Sequence, residues 1–221
     1  MDPDPLAELY PPFGLSVTCG GLTLRVLRDA DLPAYAELIS ARLFADADAP
    51  HVFAWWDRDP AVRQREALQF LWSRRARLGP DAWELPFGVF EGDRLIGCQD
   101  LCARDFARRR VVSSGSYLRL DAQGRGVGTL MRQLILVLAF DHLGALRAES
   151  SAAVGNAASL AVSRHCGYRP DGTRVELNGE RRLELQRVAA TPETVVRPAE
   201  PVVVRGLTTE LRRQLGADEV L

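Results

Sequence analysis

Apolar and polar positions alternate with a period of two from Leu22 to Leu27 (LTLRVL), which predicts a strand. The period then lengthens over DLPAYAELISARL, which predicts a helix with Asp29 or Asp31 as its cap. No period holds from Phe44 to Asp59, an irregular loop carrying His51, Phe53, Trp55 and Trp56. Pro60, well suited to a first helical turn, opens a second helix that runs to about Leu78, just before Gly79-Pro80. Leu85 to Glu91 and Arg94 to Ala103 read as strands joined by Gly92-Asp93, a linkage that suits a tight hairpin, and Val111 to Leu120 reads as a third strand of the same antiparallel meander. Gly126 to Phe140 is helical and apolar on nearly every face, the mark of a buried helix. A strand from about Leu146 to Ala152 leads into a helix from Asn156 to His165, closed by Cys166-Gly167. Thr173 to Leu177 and Glu180 to Val188 flank Asn178-Gly179, a strong hairpin signal.

The order is strand, two helices, three strands, helix, strand, helix, two strands, with no internal repeat. It divides the chain into a flexible N-terminal arm (1–21), one α/β domain (22–188) and a C-terminal arm (189–221). The last ends in a short amphipathic stretch, LTTELRRQL, that docks on the domain or on a second copy as a homo-oligomer contact.

Composition narrows the chemistry. All 28 basic residues among the 221 are arginines, so the chain contains no lysine. That excludes a Walker A phosphate loop, a protein kinase and any Schiff-base or pyridoxal enzyme, each of which needs a lysine amine. A net charge of −1 argues against nucleic-acid partners. Arg108 to Arg110 form the one tight basic run, read as a solvated hairpin tip or as a ligand-phosphate contact. Cys19, Cys98, Cys102 and Cys166, with His51, His142 and His165, lack metal-ligand spacing, so neither a metal nor a disulfide is expected. No apolar run approaches the ~18 residues of a membrane span, and a cytoplasmic protein with no membrane partner is expected.

The most informative segment is YLRLDAQGRGVGT, Tyr117 to Thr129, where a strand runs through Gln123-Gly124-Arg125-Gly126-Val127-Gly128 into the buried helix. A glycine-rich turn at a helix N-terminus presents unpaired N–H groups at the positive end of the helix dipole, a ready site for phosphate. It also serves simply to start a helix. Position 129 is Thr where a dinucleotide fingerprint needs glycine, and the preceding strands read as antiparallel, so the Rossmann unit fits poorly.

QGRGVG resembles the Gln/Arg-x-x-Gly-x-Gly/Ala signature of the GNAT (GCN5-related) N-acyltransferase superfamily. Asn156 to Tyr168 (NAASLAVSRHCGY) is similar to a stretch of the ribosomal-protein, RimJ/RimL-like branch. The resemblance spans roughly Leu22 to Val188. It implies the GNAT acyl-CoA N-acyltransferase fold, a mixed, mostly antiparallel sheet with splayed central strands flanked by helices. It implies acetyl-CoA, or another short acyl-CoA such as succinyl-CoA, as co-substrate, with the pyrophosphate on the amides of Arg125 to Thr129. The pantetheine arm would lie between strands ending near Leu120 and Ala152, held by the backbone of Leu118, Leu120 and their neighbours. Gln123, Gly124, Arg125, Gly126, Val127, Gly128, Thr129, Asn156 and Ser159 complete the expected donor site.

Asn156 and Ser159 also read as ordinary helix-capping residues. The resemblance implies that the Ser159 position lies near the thioester sulfur, where many members have a tyrosine acid on this helix; with none here before Tyr168, Ser159 is the candidate acid that the RimL-like branch implies. An acceptor amine (pKa ~8 for an α-amine) must lose a proton, and a carboxylate relieves this. Glu149 is the first candidate, with Asp100 and Glu84 behind it and Ser114 and Ser116 as water-positioning groups. Phe53, Trp55 and Trp56 read as core packing or as walls of the acceptor pocket. A carboxylate on a succinyl donor would be met by Arg42, Arg104 or Arg108 to Arg110. The expected activity is direct acyl transfer to a primary amine of a protein N-terminus or small molecule; the rival reading is a non-catalytic acyl-CoA-binding module. No histidine stands beside Cys98 or Cys102 to activate a thiol route.

Overall fold

The computed structural model describes residues 4–45, 51–178 and 181–218. Its strands are β1 (Ser16–Cys19), β2 (Leu22–Val26), β3 (Ala82–Glu91), β4 (Arg94–Arg104), β5 (Val111–Ser113), β6 (Ser116–Leu118), β7 (Arg147–Ala153), β8 (Arg169–Asn178), β9 (Arg181–Ala190) and β10 (Val203–Arg205). They form one sheet in the order β10-β1-β2-β3-β4-β5-β7-β9-β8, with β6 paired to β4. Among the described residues only β5 and β7 pair in parallel. The helices are α1 (Leu32–Ser40), α2 (Pro60–Ala76), α3 (Phe106–Arg109), α4 (Val127–Val137), α5 (Ala157–His165) and α6 (Thr209–Gln214).

Alternation along β4, shifted by one at Ile96 by a β-bulge where Val89 and Phe90 face Gly97 and Leu95, divides the interior between two helical layers. Leu95 and Cys98 join Tyr35, Leu38, Ile39 and Leu71 beneath α1 and α2, while Ile96 and Leu101 join Met131, Leu134 and Ile135 of α4 on the opposite face. The apolar character of α4 is thus explained by burial, and a π-helical turn, Leu138–His142, prolongs it. No helix among the described residues is long and apolar enough to cross a membrane.

Both hairpins predicted from glycine dipeptides form. Glu91 faces Arg94 across Gly92-Asp93, and β8 pairs with β9, although the Asn178-Gly179 turn itself extends outside the described residues. Asp31 does not cap α1 with its side chain; its carboxylate is bound by both terminal nitrogens of Arg25 and by the Arg28 N–H. The run Val111 to Leu120, expected as one strand, breaks at Ser114-Gly115. There the Gly115 N–H donates to the Asp100 carboxylate, and its carbonyl accepts from the Asp100 N–H and the Gln99 side-chain amide. The diversion lets β5 pair with both β4 and β7, whereas β6 pairs with β4 alone.

The N-terminal end departs from expectation, and the C-terminal end takes one of its two expected places. Residues 16–19, read as part of a flexible arm, form a strand paired with both β2 and β10, and Phe13, Leu15 and Val17 are buried. The C-terminal segment packs on its own chain: Leu211 and Leu215 are fully buried and the Trp83 indole N–H donates to the Leu215 carbonyl at 2.9 Å. The prolines and polar residues around these short elements hide their alternation in the sequence.

Candidate active site

The split of the third strand creates the first cavity. The last rung between β5 and β7 is the Ser114 N–H donating to the Glu149 carbonyl at 3.1 Å; beyond it β6 and β7 part. Antiparallel pairing aims the backbone of Tyr117 and Arg119 at β4, so the alternate residues Ser116 and Leu118 turn theirs toward the gap. Gly97 permits the close approach of β6, since a Cβ there would lie 2.5 Å from the Tyr117 carbonyl oxygen. The resulting cleft, about 420 Å³, runs between Ser116–Leu118 and Ser150–Ala153 to Asn156 and Ser159 on α5.

Just beyond Gln123, the one residue of the glycine turn that lines this cleft, Gly124 and Gly126 hold φ of 72° and 82°. L-residues rarely adopt that region, and it presents successive amides outward at the start of α4. Among the described residues no acceptor takes the N–H groups of Gly124 to Gly128, while those of Thr129 and Leu130 return to the Gly126 carbonyl. Arg125 directs its side chain away, to Glu91 at 2.8 Å, so only its backbone is available here. Gln123 is a brace, its amide donating to the carbonyls of Leu43 and Leu118 at 2.7 and 3.0 Å. Asn156 caps α5 by accepting from the Ser159 N–H at 3.0 Å. The Ser159 hydroxyl has no partner among the described residues and lines the cleft. Leu120 is not brought to the cleft; its N–H is taken by the Arg42 carbonyl.

A second cavity, about 340 Å³, lies on the α1 and α2 face and shares Phe53, Gly115, Ser116 and Tyr117 with the first. Phe53 and Trp55 each meet the Tyr117 ring at 5.5 Å, while Trp56 lines neither cavity and packs on Phe44 and under Arg63. The walls are mostly apolar, with the carboxylates of Glu66, Glu84 and Asp100 and the polar side chains of Gln99, Ser116, Tyr35 and Tyr117 among them. Enclosure away from water raises the Asp100 pKa to about 7, against the Gly115 N–H and the positive charges of Arg132 and Arg74; Glu84 nearby pushes it further up. Glu84 is itself raised by burial, with Arg74 at 3.1 Å opposing. The Tyr117 hydroxyl shares hydrogen bonds with Tyr35 and Cys98, and burial pushes it well above its ordinary value.

Glu149 lines neither cavity. Its carboxylate accepts from Arg147 at 2.8 Å and lines a further opening that also reaches Asp100, Ser114 and Gly115. Arg42, Arg104 and Arg108 to Arg110 likewise stay out of the first cleft. Three contributors are absent from the first-choice residues of the sequence reading: Asp100, Tyr117 and Arg132. The last carried a signal, as the one charge within the apolar run TLMRQLILVLAF up to Phe140.

A family model described as the acetyltransferase (GNAT) domain matches residues 21–169. The chain belongs to the GNAT family. Solved structures share its fold. They include RimJ of Mycobacterium smegmatis in complex with CoA-disulfide (22% identity, TM-score 0.62, 81% of this chain and 86% of the other). The RimL ribosomal L7/L12 α-N-protein acetyltransferase in complex with coenzyme A is similar as well (15%, 0.64, 80% and 97%). So is the Vibrio cholerae spermidine N-acetyltransferase in complex with CoA and spermine (21%, 0.61, 79% and 97%). This GNAT protein is an acyl-CoA-dependent N-acyltransferase.

The residues present fit an acyl-CoA. Unclaimed amides at the start of α4 suit its phosphates, and the gap between β6 and β7 offers backbone groups to an extended, amide-bearing arm. No group of three or more metal-ligating side chains gathers among the described residues.

Proposed function

We propose that this GNAT protein moves a short acyl group from its CoA thioester to the amine of a protein N-terminus or a small molecule by direct attack, with Asp100 taking the amine's proton. The supporting observation is the place of Asp100. It lines the apolar second cavity, bonded to the Gly115 that this cavity shares with the donor cleft. A carboxylate titrating near 7 is suited to accept a proton at neutral pH. Glu66 and Glu84 are paired with Arg58 and Arg74, whereas Asp100 has no cation within 4.0 Å among the described residues and favours a cationic ligand in that cavity, in keeping with an amine.

The bound thioester supplies an activated acyl carbon. The amine nitrogen bonds to that carbon as the C–S bond breaks, the nitrogen's proton passes to Asp100 and on to solvent, and the departing thiolate takes the Ser159 hydroxyl proton as solvent returns one to that hydroxyl, so that one proton moves in net from nitrogen to sulfur. The N–H groups of Ser116 and Leu118 border the cleft as donors for the carbonyl oxygen. Glu149, held by Arg147, is left the role of a charge at the rim. The test is release of free thiol from acetyl-CoA across a panel of amines, including peptide N-termini and polyamines. Amine-dependent release, lost in Asp100→Asn, is expected. Saturable binding of acetyl-CoA without release for any amine would establish the non-catalytic binding module instead.

A further inference from the structure

Two arginines of this domain are buried beyond nine-tenths, and they are treated differently. Arg25, 8% exposed, is matched by Asp31, whose carboxylate accepts from both terminal nitrogens. Arg132, 3% exposed, meets no carboxylate within 4.0 Å among the described residues. Its Nη2 donates to Ser116 Oγ at 2.9 Å, its Nη1 reaches Ser150 Oγ only at 3.5 Å, and its Nε has no partner. An arginine cannot shed its proton, and beyond two neutral hydroxyls it has the Tyr168 ring at 5.8 Å and the field of Asp100, a carboxylate beyond 4.0 Å that burial leaves half protonated near pH 7. The position is that of an apolar residue on a buried helix, yet the guanidinium lines the donor cleft.

Its depth in the cleft indicates which anion would meet it. Its two partners sit where the pairing of β5 with β7 stops and the gap between the strands begins. Ser116 follows the break at Ser114-Gly115, and Ser150 is the residue of β7 just past the final rung at Glu149. An arm entering from the glycine turn places its acyl terminus there.

Resting on the reading of this cleft as the acyl-CoA site, we infer that the preferred donor carries a carboxylate at the far end of a short acyl chain, as succinyl does, and that Arg132 selects it. The carboxylate would take the guanidinium fork two-pronged, in place of the weak serine contacts. The arginines named from sequence for this role, Arg42, Arg104 and Arg108 to Arg110, lie elsewhere. If Arg132 instead served the thioester carbonyl, which every acyl-CoA carries, its loss would weaken all donors alike.

Calorimetric titration of the whole chain with succinyl-CoA and butyryl-CoA separates these cases without needing the acceptor. The wild type should bind succinyl-CoA at least about tenfold more tightly, a preference that Arg132→Gln abolishes and Arg132→Lys partly keeps. Equal wild-type affinities, or a preference that survives in Arg132→Gln, would overturn the assignment to Arg132 while leaving the acyl-CoA cleft in place. The wild-type arm stands even if a variant does not fold. Binding of neither ester would overturn both the selection and the donor cleft.

Discussion

The two cavities that meet at Tyr117 are built by different means. The proposed donor cleft is bordered by Gly115 to Leu118, by Ser150 to Ala153 with Gly155 to Ser159, and by Leu43 to Ala45 and His51 to Phe53, and much of what its two strands offer is backbone. The second cavity takes Tyr35 and Ile39 from α1, Glu66 to Leu71 from α2, Phe53 and Trp55 from the loop between them, and Glu84 and Asp100 from β3 and β4; there side chains carry the chemistry. The lesson is that one face of the protein can change its clientele by side-chain substitution while the other is tied to the course of the main chain.

Substitution can test that contrast. Removing the proton acceptor should cost most: Asp100→Asn is expected to lower turnover about 100-fold or more with donor affinity unchanged. The wild-type rate should rise as pH climbs through about 7, where Asp100 ionises, and the variant should lose that limb. On the donor side, Gly126→Ala forces an alanine to a φ of 82° and should weaken acyl-CoA binding roughly tenfold, with acceptor KM untouched. A Gly126→Ala change that raised acceptor KM instead would dissolve the division of labour. Trp55→Ala should raise acceptor KM several-fold; Trp56→Ala, a step further back behind Trp55, should raise it less.

Two smaller effects sharpen the picture. The folded protein binds the Asp100 proton more tightly than the unfolded chain, since its pKa rises from 3.8 to about 7. The stability this contributes is full at low pH and lost as pH climbs through 7, so Asp100→Asn should gain in Tm relative to wild type at pH 8 compared with pH 5. Cys102→Ala should leave turnover intact, because burial pushes that thiol up to about 12, out of reach as a nucleophile.

The same contrast explains what could be read from the chain itself. QGRGVG and the capped helix from Asn156 are local, so period, glycine placement and capping residues carry them, and the donor cleft follows. Asp100 and Glu149 are both acidic residues on strands, and alternation alone does not tell which one looks into a cavity. The choice turns on a break at Ser114-Gly115 that is stabilised from another strand, by Asp100 itself. Arg132 illustrates the opposite case, a visible local misfit in an apolar helix whose meaning required knowing that its turn lies under the parting strands. The short edge strands β1 and β10 carry too few alternating positions to stand out, and they define each other only once the sheet is assembled.

That last pairing bears on how the chain reaches its native state. Ser16 to Thr18 find their outer neighbours at Val203 to Arg205, and a Cβ at Gly206 would lie 1.9 Å from the Gly14 carbonyl oxygen, so the two segments close against each other with no slack. During synthesis the first strand to leave the ribosome has to wait for nearly the last one before its edge is covered. Until then β1 is an open edge that could recruit a strand from another chain. Truncation at Ala189 would make that waiting permanent, and self-association through β1, rather than loss of the donor cleft, is the failure it should produce.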